Sequence, residues 1–458
     1  MYSWVRGQQT VVARSHNFMN KPWAAGVVLL ACVVVAMLLA NLPFTAEAYH
    51  NFLEIDLFAE IRSHHGLDWI FPAEMTVEKL INDGLMVIFF FTVGLEIKRE
   101  IICGELSSVR KAMLPVLAAA GGMLAPALIF MLFNHGTPAA NGWGIPTATD
   151  IAFAIGILSI LGDRVPVSLK VFLTALAIAD DLGAILVIAL FYGGNVRLGL
   201  LAIAAAILVA VWLMKRAGEK RMMFYLVPAL AVWALFYYSG VHSTISGVVM
   251  AMFIPMEARY GREYFRRKSK SLTESLEASI LAKGEGASFP DEHQQFLLQK
   301  LSNISAGSVG MSYRLEHALA PYVSFVIMPI FALANAGVHI PSSEYFNIFH
   351  IGAETGAIGM GIFFGLLLGK PVGIFLASRL AVMCKLGEMP SKSTWPMLFA
   401  VACLGGIGFT MSIFVDSLAF SDPDLIARGK IAILMGSAAA AVLGILLITM
   451  MSKAKKSE

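Results

Sequence analysis

The chain has 458 residues, with 34 Lys and Arg against 31 Asp and Glu and a formal net charge of +3. Only 14% of it is charged and 58% is hydrophobic, at a mean hydropathy of +0.73, where soluble chains carry about 25% charged residues. That composition excludes a soluble multidomain protein, and the near-neutral balance leaves no nucleic-acid footprint.

Twelve apolar segments follow one another, near residues 22–44, 77–97, 112–133, 144–162, 168–192, 197–214, 222–239, 242–256, 318–338, 355–378, 395–419 and 428–451. They predict an all-α membrane protein of about twelve transmembrane helices, each needing about 20 apolar residues, in one integral membrane domain over residues 1–458. The first segment has a basic start, and Ala46-Glu47-Ala48 after it resembles a cleavage site. Its apolar run exceeds the usual signal-peptide core, so it is read as a retained span. Cys32, Cys103, Cys384 and Cys403 lack paired spacing and read as small hydrophobes, not as disulfides or zinc ligands.

The connections alternate in charge. Lys and Arg gather before the first span (Arg6, Arg14, Lys21), then at Lys98, Arg99, Arg110 and Lys111, at Arg164 and Lys170, and at Lys215, Arg216, Lys220 and Arg221. They recur from Arg259 to Lys270, at Arg379, Lys385 and Lys392, and in the tail at Lys453, Lys455 and Lys456. The other loops are poor in them, which predicts that both termini are cytoplasmic. An even number of spans agrees.

Two loops are long. Residues 45–76 form an extracytoplasmic loop, mildly acidic, that suits either partner contacts or a simple connector. Residues 257–316 form a cytoplasmic insertion. Ser271-Leu272-Thr273-Glu274 fits a capping box ahead of Leu276 and Ile280, and Pro290 suits the start of a second helix through Phe296, Leu297 and Leu301. Basic, amphipathic helices of this kind suit the membrane surface; a linker is the other reading.

Ionisable residues inside apolar segments carry the chemistry. Asp150, Asp180, Asp181 and Lys370 lie in such runs, and each charge at mid-bilayer costs about 2.5–3.5 kcal/mol. Together that is roughly 10–14 kcal/mol, comparable to the stability of an ordinary domain. A buried ion pair fastening two helices accounts for one Asp and Lys370, and not for three acids against one base. Helix neighbours point about 100° apart, so one of Asp180 and Asp181 can meet Lys370 while the other faces a cavity. The surplus negative charge calls for protons or a hard cation bound by oxygens, Thr149 adding a hydroxyl.

Two segments read as broken helices. Pro146 followed by Thr147-Ala148-Thr149 interrupts the fourth, and Gly405, Gly406 and Gly408 interrupt the eleventh. These are the middle members of spans 3–5 and 10–12, the placement expected of inverted repeats with a site at the breaks. Half-helix ends would bring partial charges into the bilayer, which Asp150 and Lys370 can offset.

At these residues the sequence resembles the NhaA family of sodium/proton antiporters. The matching stretches are Val93 to Glu100, Pro146 to Ala154, Ala177 to Ala184, Ser239 to His242, Arg314 to His317, Phe331 to Gly337, Gly369 to Pro371 and Gly405 to Phe414, spread over about residues 20 to 450. The resemblance implies that Asp181 and Asp180 are the essential cation- and proton-binding pair and that Lys370 pairs with Asp180. It implies that Asp150 and Thr149 lie at the broken helix near the ion. Glu96, Arg99, Glu100, His242, Glu316 and His317 match positions tied to pH response at a cytoplasmic funnel. A solvated salt-bridge cluster explains Glu96, Arg99 and Glu100 equally well, and His242 also suits a hydrogen-bonded span terminus. The chain departs from the family in about 45 extra residues before Arg314, and in having Tyr313 and Ala320 where better-known members carry a basic residue and a histidine.

The expected function is exchange of cytoplasmic sodium, and lithium, for external protons across a bacterial inner membrane, regulated by pH, with no bond-making enzyme activity and no cofactor. The resemblance also implies a homodimer through the extracytoplasmic loop. Three alternatives fit less well. A sodium-coupled solute symporter would want polar or aromatic groups beside the ion site, where the aspartates have Ala, Ile and Leu neighbours. An intramembrane aspartyl protease would want a GxGD context, and a channel a polar pore stripe.

Overall fold

A computed structural model describes residues 21, 23–57, 75–194, 196–283, 290–340, 342–352 and 355–454. Those residues form helices and connecting turns, with isolated bridges at Asp56–Thr76 and Gly352–Gly356 as their only β pairings. Nine of the helical stretches are long and apolar enough to cross a membrane, ten with the bent pair Trp395–Gly405 and Phe409–Ala419 taken as one. Two shorter apolar helices bring the apolar segments to the twelve expected. The protein is an all-α, multi-span membrane protein.

In chain order the helices are α1 (Ala24–Asn41), α2 (Ala46–Glu54), α3 (Val77–Cys103), α4 (Val109–Asn134), a 3-10 helix (Pro138–Thr147), α5 (Ile151–Leu161), α6 (Val167–Phe191) and α7 (Leu198–Arg216). There follow α8 (Met223–Ser239), α9 (Thr244–Phe253), α10 (Arg262–Lys283), α11 (Glu292–Gly307), α12 (Met311–Asn335), α13 (Ile358–Met383), α14 (Trp395–Gly405), α15 (Phe409–Ala419) and α16 (Pro423–Ala454). The eighth segment is a departure: α9 has 10 residues, about 15 Å of helix against a hydrocarbon core of about 30 Å. Lys98 explains its end, donating to the carbonyls of Ala251, Met252 and Ile254 and so holding the last turn of α9 against α3.

The approach of α4 to α13 positions the site. A Cβ on Gly373 would meet Gly121 O at 2.1 Å, and one on Gly121 would meet Gly373 O at 2.5 Å. Both positions need glycine for two backbones to lie this close. That contact sets the register of α13, and Lys370 lies one turn from it.

The two loops hold more structure than a connector. On the first, Tyr49 of α2 donates to Leu333 O at 2.6 Å. Burial, then Glu78, pushes its hydroxyl up to about 12. It therefore stays a donor throughout the physiological range. Residues 58–74, the middle of the loop expected to hold partner contacts, lie outside the described residues. So do Arg6, Arg14, Lys455 and Lys456.

The insertion is a helical hairpin around Leu272, Leu297 and Ile304. Its first helix begins at Arg262, not at Ser271. The arginines and lysines before Ser271 are good helix formers, and Ser271 lies inside the helix, its carbonyl accepting from Ser275. A capping box does exist one helix later, between Asp291 and Gln294 at the start of α11. The cysteines are free as expected, but Cys103 and Cys384 are exposed at helix ends rather than packed.

Candidate functional site

The two broken spans meet at their breaks. The 3-10 helix stops at Thr147, Ala148 is extended, and Asp150 is the extended N-cap of α5, accepting from Phe153 N at 3.2 Å. In the other span Gly406 to Gly408 separate α14 from α15 with a bend of 48°. Asp150 N donates across the crossing to Ile407 O at 2.6 Å. Ser412 Oγ donates to Ile145 O at 2.8 Å, and Ser437 Oγ of α16 accepts from Gly408 N and Phe409 N. These backbone groups at the breaks are thus satisfied from inside the protein, as the bilayer demands.

Asp150 does double duty. Beyond capping α5, its Oδ2 accepts from Thr410 Oγ1 at 2.5 Å and from Thr410 N at 3.3 Å, at the start of α15. One carboxylate thus faces two helix N-termini, each the positive end of a dipole. The opposite polarity meets Lys370, whose Nζ donates to Thr147 O at the C-terminal end of the 3-10 helix. Asp150 thus lies at two helix N-termini and Lys370 at a helix C-terminal end.

Asp180 and Asp181 of α6 divide as their helical positions require. Asp180 Oδ2 takes Lys370 Nζ at 2.6 Å and Thr149 Oγ1 at 2.6 Å. Thr149 has a second acceptor in Gly405 O at 2.9 Å, and a single hydroxyl proton serves one acceptor at a time. Asp181 points elsewhere, into a cavity of about 190 Å³ that Asp150, Thr149, Thr410 and Glu96 also line. Asp150, Asp180, Asp181, Thr149 and Lys370 are all buried. Asp180 Oδ1 and Asp181 Oδ1 meet no hydrogen-bond donor. Among the described residues no three His, Cys, Asp or Glu side chains converge as a resident metal cluster would.

The residues expected to respond to pH separate into three places. Arg99 gathers Glu316 at 3.0 Å, Glu100 at 3.2 Å and Glu96 at 3.9 Å into one cluster. Glu96 also reaches the Asp181 cavity, so this cluster and the site share a side chain. His317 is exposed outside it, its ring stacked on Tyr313 at 3.8 Å between centroids. His242 contradicts the expected placement. Its Nε2 contacts Tyr192 O, and its neighbour Ser243 donates to Asp83 at 2.7 Å. Asp83 precedes Glu96 by about 20 Å of helix, so His242 belongs to the other end of the bundle. α8, the seventh apolar segment, starts beside the basic residues Lys215 to Arg221, so its end, and His242, fall on the opposite face.

Sequence reasoning passed over four groups. Thr410 follows Gly408 as an ordinary helix residue and carries no signal of its own in the sequence. Asp83, Asp416 and Lys430 lie in apolar segments and answer to the same signal that found Asp150. Asp416 and Lys430 are both buried.

The chain is similar to known proteins over nearly its whole length. The family model described as Na+/H+ antiporter 1 matches residues 16–448. The Na(+)/H(+) antiporter NhaA of Acidithiobacillus ferrooxidans is 43% identical over 449 residues, covering 96% of this chain and 98% of that protein. That of Christiangramia forsetii is 39% identical, covering 99% and 98%, and that of Escherichia coli O139:H28 is 38% identical, covering 94% and 96%. On family match, coverage and identity together, this chain belongs to the NhaA family of Na+/H+ antiporters.

Proposed function

We propose that the protein exchanges cytoplasmic sodium, and lithium, for external protons at the crossing of the two broken spans. The observation that carries this reading is the shared cavity of Asp181 and Asp150, with one Asp181 oxygen bare of donors. An acid so placed must either hold a proton or balance a cation, since a buried bare carboxylate is otherwise strongly disfavoured. Asp180 and Lys370 form the companion pair, and Thr149 links Asp180 to the end of α14 at Gly405. The cation and the protons compete for the carboxylates, and occupancy licenses the site to turn from one face to the other. Apart from proton transfer to and from the carboxylates, the cycle makes and breaks no covalent bond and calls on no cofactor; sodium, lithium and protons are cargo.

The orientation follows from the loops: both termini and the 257–316 insertion inside, residues 45–76 outside, in a bacterial inner membrane. The whole chain acts as one transporter domain, and the outside loop is the proposed homodimer contact. The Arg99 cluster is the proposed origin of pH response. Its link to the ion site is Glu96, which contributes to both. Dye-reported proton movement in inverted vesicles tests the reading. Added sodium and lithium should each discharge the proton gradient at alkaline pH and do so progressively less as pH falls. No response to either ion would dismiss it.

A further inference from the structure

Asp416 lies near the end of α15, six residues or about 9 Å of helix beyond Thr410. It is wholly buried, and neither carboxylate oxygen has a hydrogen-bond donor. Room for it exists because residue 429 is glycine: a Cβ there would come within 2.1 Å of Asp416 Oδ1. Buried polar atoms are nearly always paired, so two bare oxygens on one side chain call for an explanation.

The charges around it are few. From α16, Lys430 acts on Asp416 through its field, and Glu78 at the start of α3 acts in turn on Lys430. Lys430 keeps 8% of its surface exposed, where Asp416 has none. From the end of α6, Tyr192 senses Asp416, but its hydroxyl is already committed to Asn141 O and Gly144 N. The 3-10 helix and the Met328–Asn335 part of α12, which also pack on α15, bring no titratable side chain. Glu78 and Arg99 stand about 30 Å apart along α3, so Asp416 belongs to the end of the bundle opposite the Arg99 cluster. A metal cation would want several oxygen ligands and would be repelled by Lys430. A proton needs one oxygen.

We propose that Asp416 is a proton-loading residue on the outer side of the exchanger, with Lys430 as its counter-charge. It takes one proton from water at the Glu78 end, becoming the neutral acid. It gives that proton up toward the crossing, returning to a carboxylate opposite Lys430. The inference rests on the exchange reading above and adds a station to it.

The test is proteoliposome exchange with internal pH fixed and external pH varied, for the wild type, Lys430→Met, Asp416→Asn and the double variant. Removing the ammonium makes the carboxylate easier to protonate. Lys430→Met should therefore move the half-maximal external pH alkaline by about one unit, and do so only while Asp416 is present. An equal shift in the Asp416→Asn background, or no shift in a well-folded Lys430→Met, overturns the proposal. Carbodiimide labelling of the intact wild-type chain, read by mass spectrometry, needs no variant: it reacts with protonated buried carboxyls. Labelling of Asp416 should rise as pH falls; absent or pH-independent labelling overturns the proposal. Failure of wild-type sodium-driven proton movement would sink the exchange reading instead, and the labelling result stands apart from it.

Discussion

Lys370 Nζ and Asp180 Oδ2 lie 2.6 Å apart with both side chains entirely buried. The same ammonium holds Thr147 O, at the end of the 3-10 helix that precedes the first break. Lys370 therefore ties span ten both to the aspartate pair and to the broken span. Fastening and the proposed chemistry would then reside in one side chain.

Lys370→Ala should separate the two contributions. It strips Asp180 of its cation and Thr147 of its donor, a loss of about 3–5 kcal/mol for a broken buried pair. The melting temperature should fall. With the buried charge balance at Asp180 lost, the pH dependence of activity should change as well. A variant with unchanged melting and an unchanged pH profile would remove Lys370 from the site.

Asp150 predicts a split between its amide and alanine variants. Asn still accepts from the backbone amides of both helix starts, so Asp150→Asn should melt within about 1 kcal/mol of wild type. Asp150→Ala loses two caps, worth about 1 kcal/mol each. Both should impair exchange, because neither carries the charge. Thermal melting beside transport assays distinguishes the cases, and equal melting of the two variants would refute the double cap.

The Arg99 cluster and His317 make opposite predictions. Arg99→Gln leaves Glu96, Glu100 and Glu316 without their shared cation, so the pH threshold of exchange should move. His317→Ala removes a ring stacked on Tyr313, outside the cluster, and should leave the threshold in place. Threshold measurements in inverted vesicles check both. A shift with His317→Ala alone would relocate the sensor.

Much of the site could be read from residue types. Asp150, Asp180, Asp181 and Lys370 stand out because charge is costly in apolar runs, and Pro146 and Gly405 to Gly408 mark the breaks. What pattern could not supply is which group faces which. Thr410 is an ordinary helix residue until the crossing places it against Asp150. His242 resembles the pH group by type, yet the course of α8 carries it to the other end. The helix starting at Arg262 was hidden because Ser271 to Glu274 mimic a cap, and nothing local says that a helix already runs through them. Asp416 and Lys430 carried the same signal as Asp150, but away from the breaks.

The close pairing of Gly121 and Gly373 predicts sensitivity far from any charge. Gly373→Ala places a methyl 2.1 Å from Gly121 O. Spans three and ten must part, and Lys370 must shift relative to Asp180. Loss of exchange with retained membrane insertion is the expected outcome, read by transport beside protein level. A fully active Gly373→Ala would show that the register of α13 is not set there.

The central claim is that sodium and protons compete for the carboxylates at the crossing. The direct measurement is sodium half-saturation against pH in proteoliposomes. Under competition, below the relevant carboxylate pKa the half-saturating sodium rises about tenfold per pH unit for each proton displaced, while the rate at saturating sodium falls much less. Asp181→Asn, which neither ionises nor balances a cation, should show no exchange at any sodium concentration. A half-saturation value that stays flat while the maximal rate collapses would contradict competition and place pH control in a separate gate.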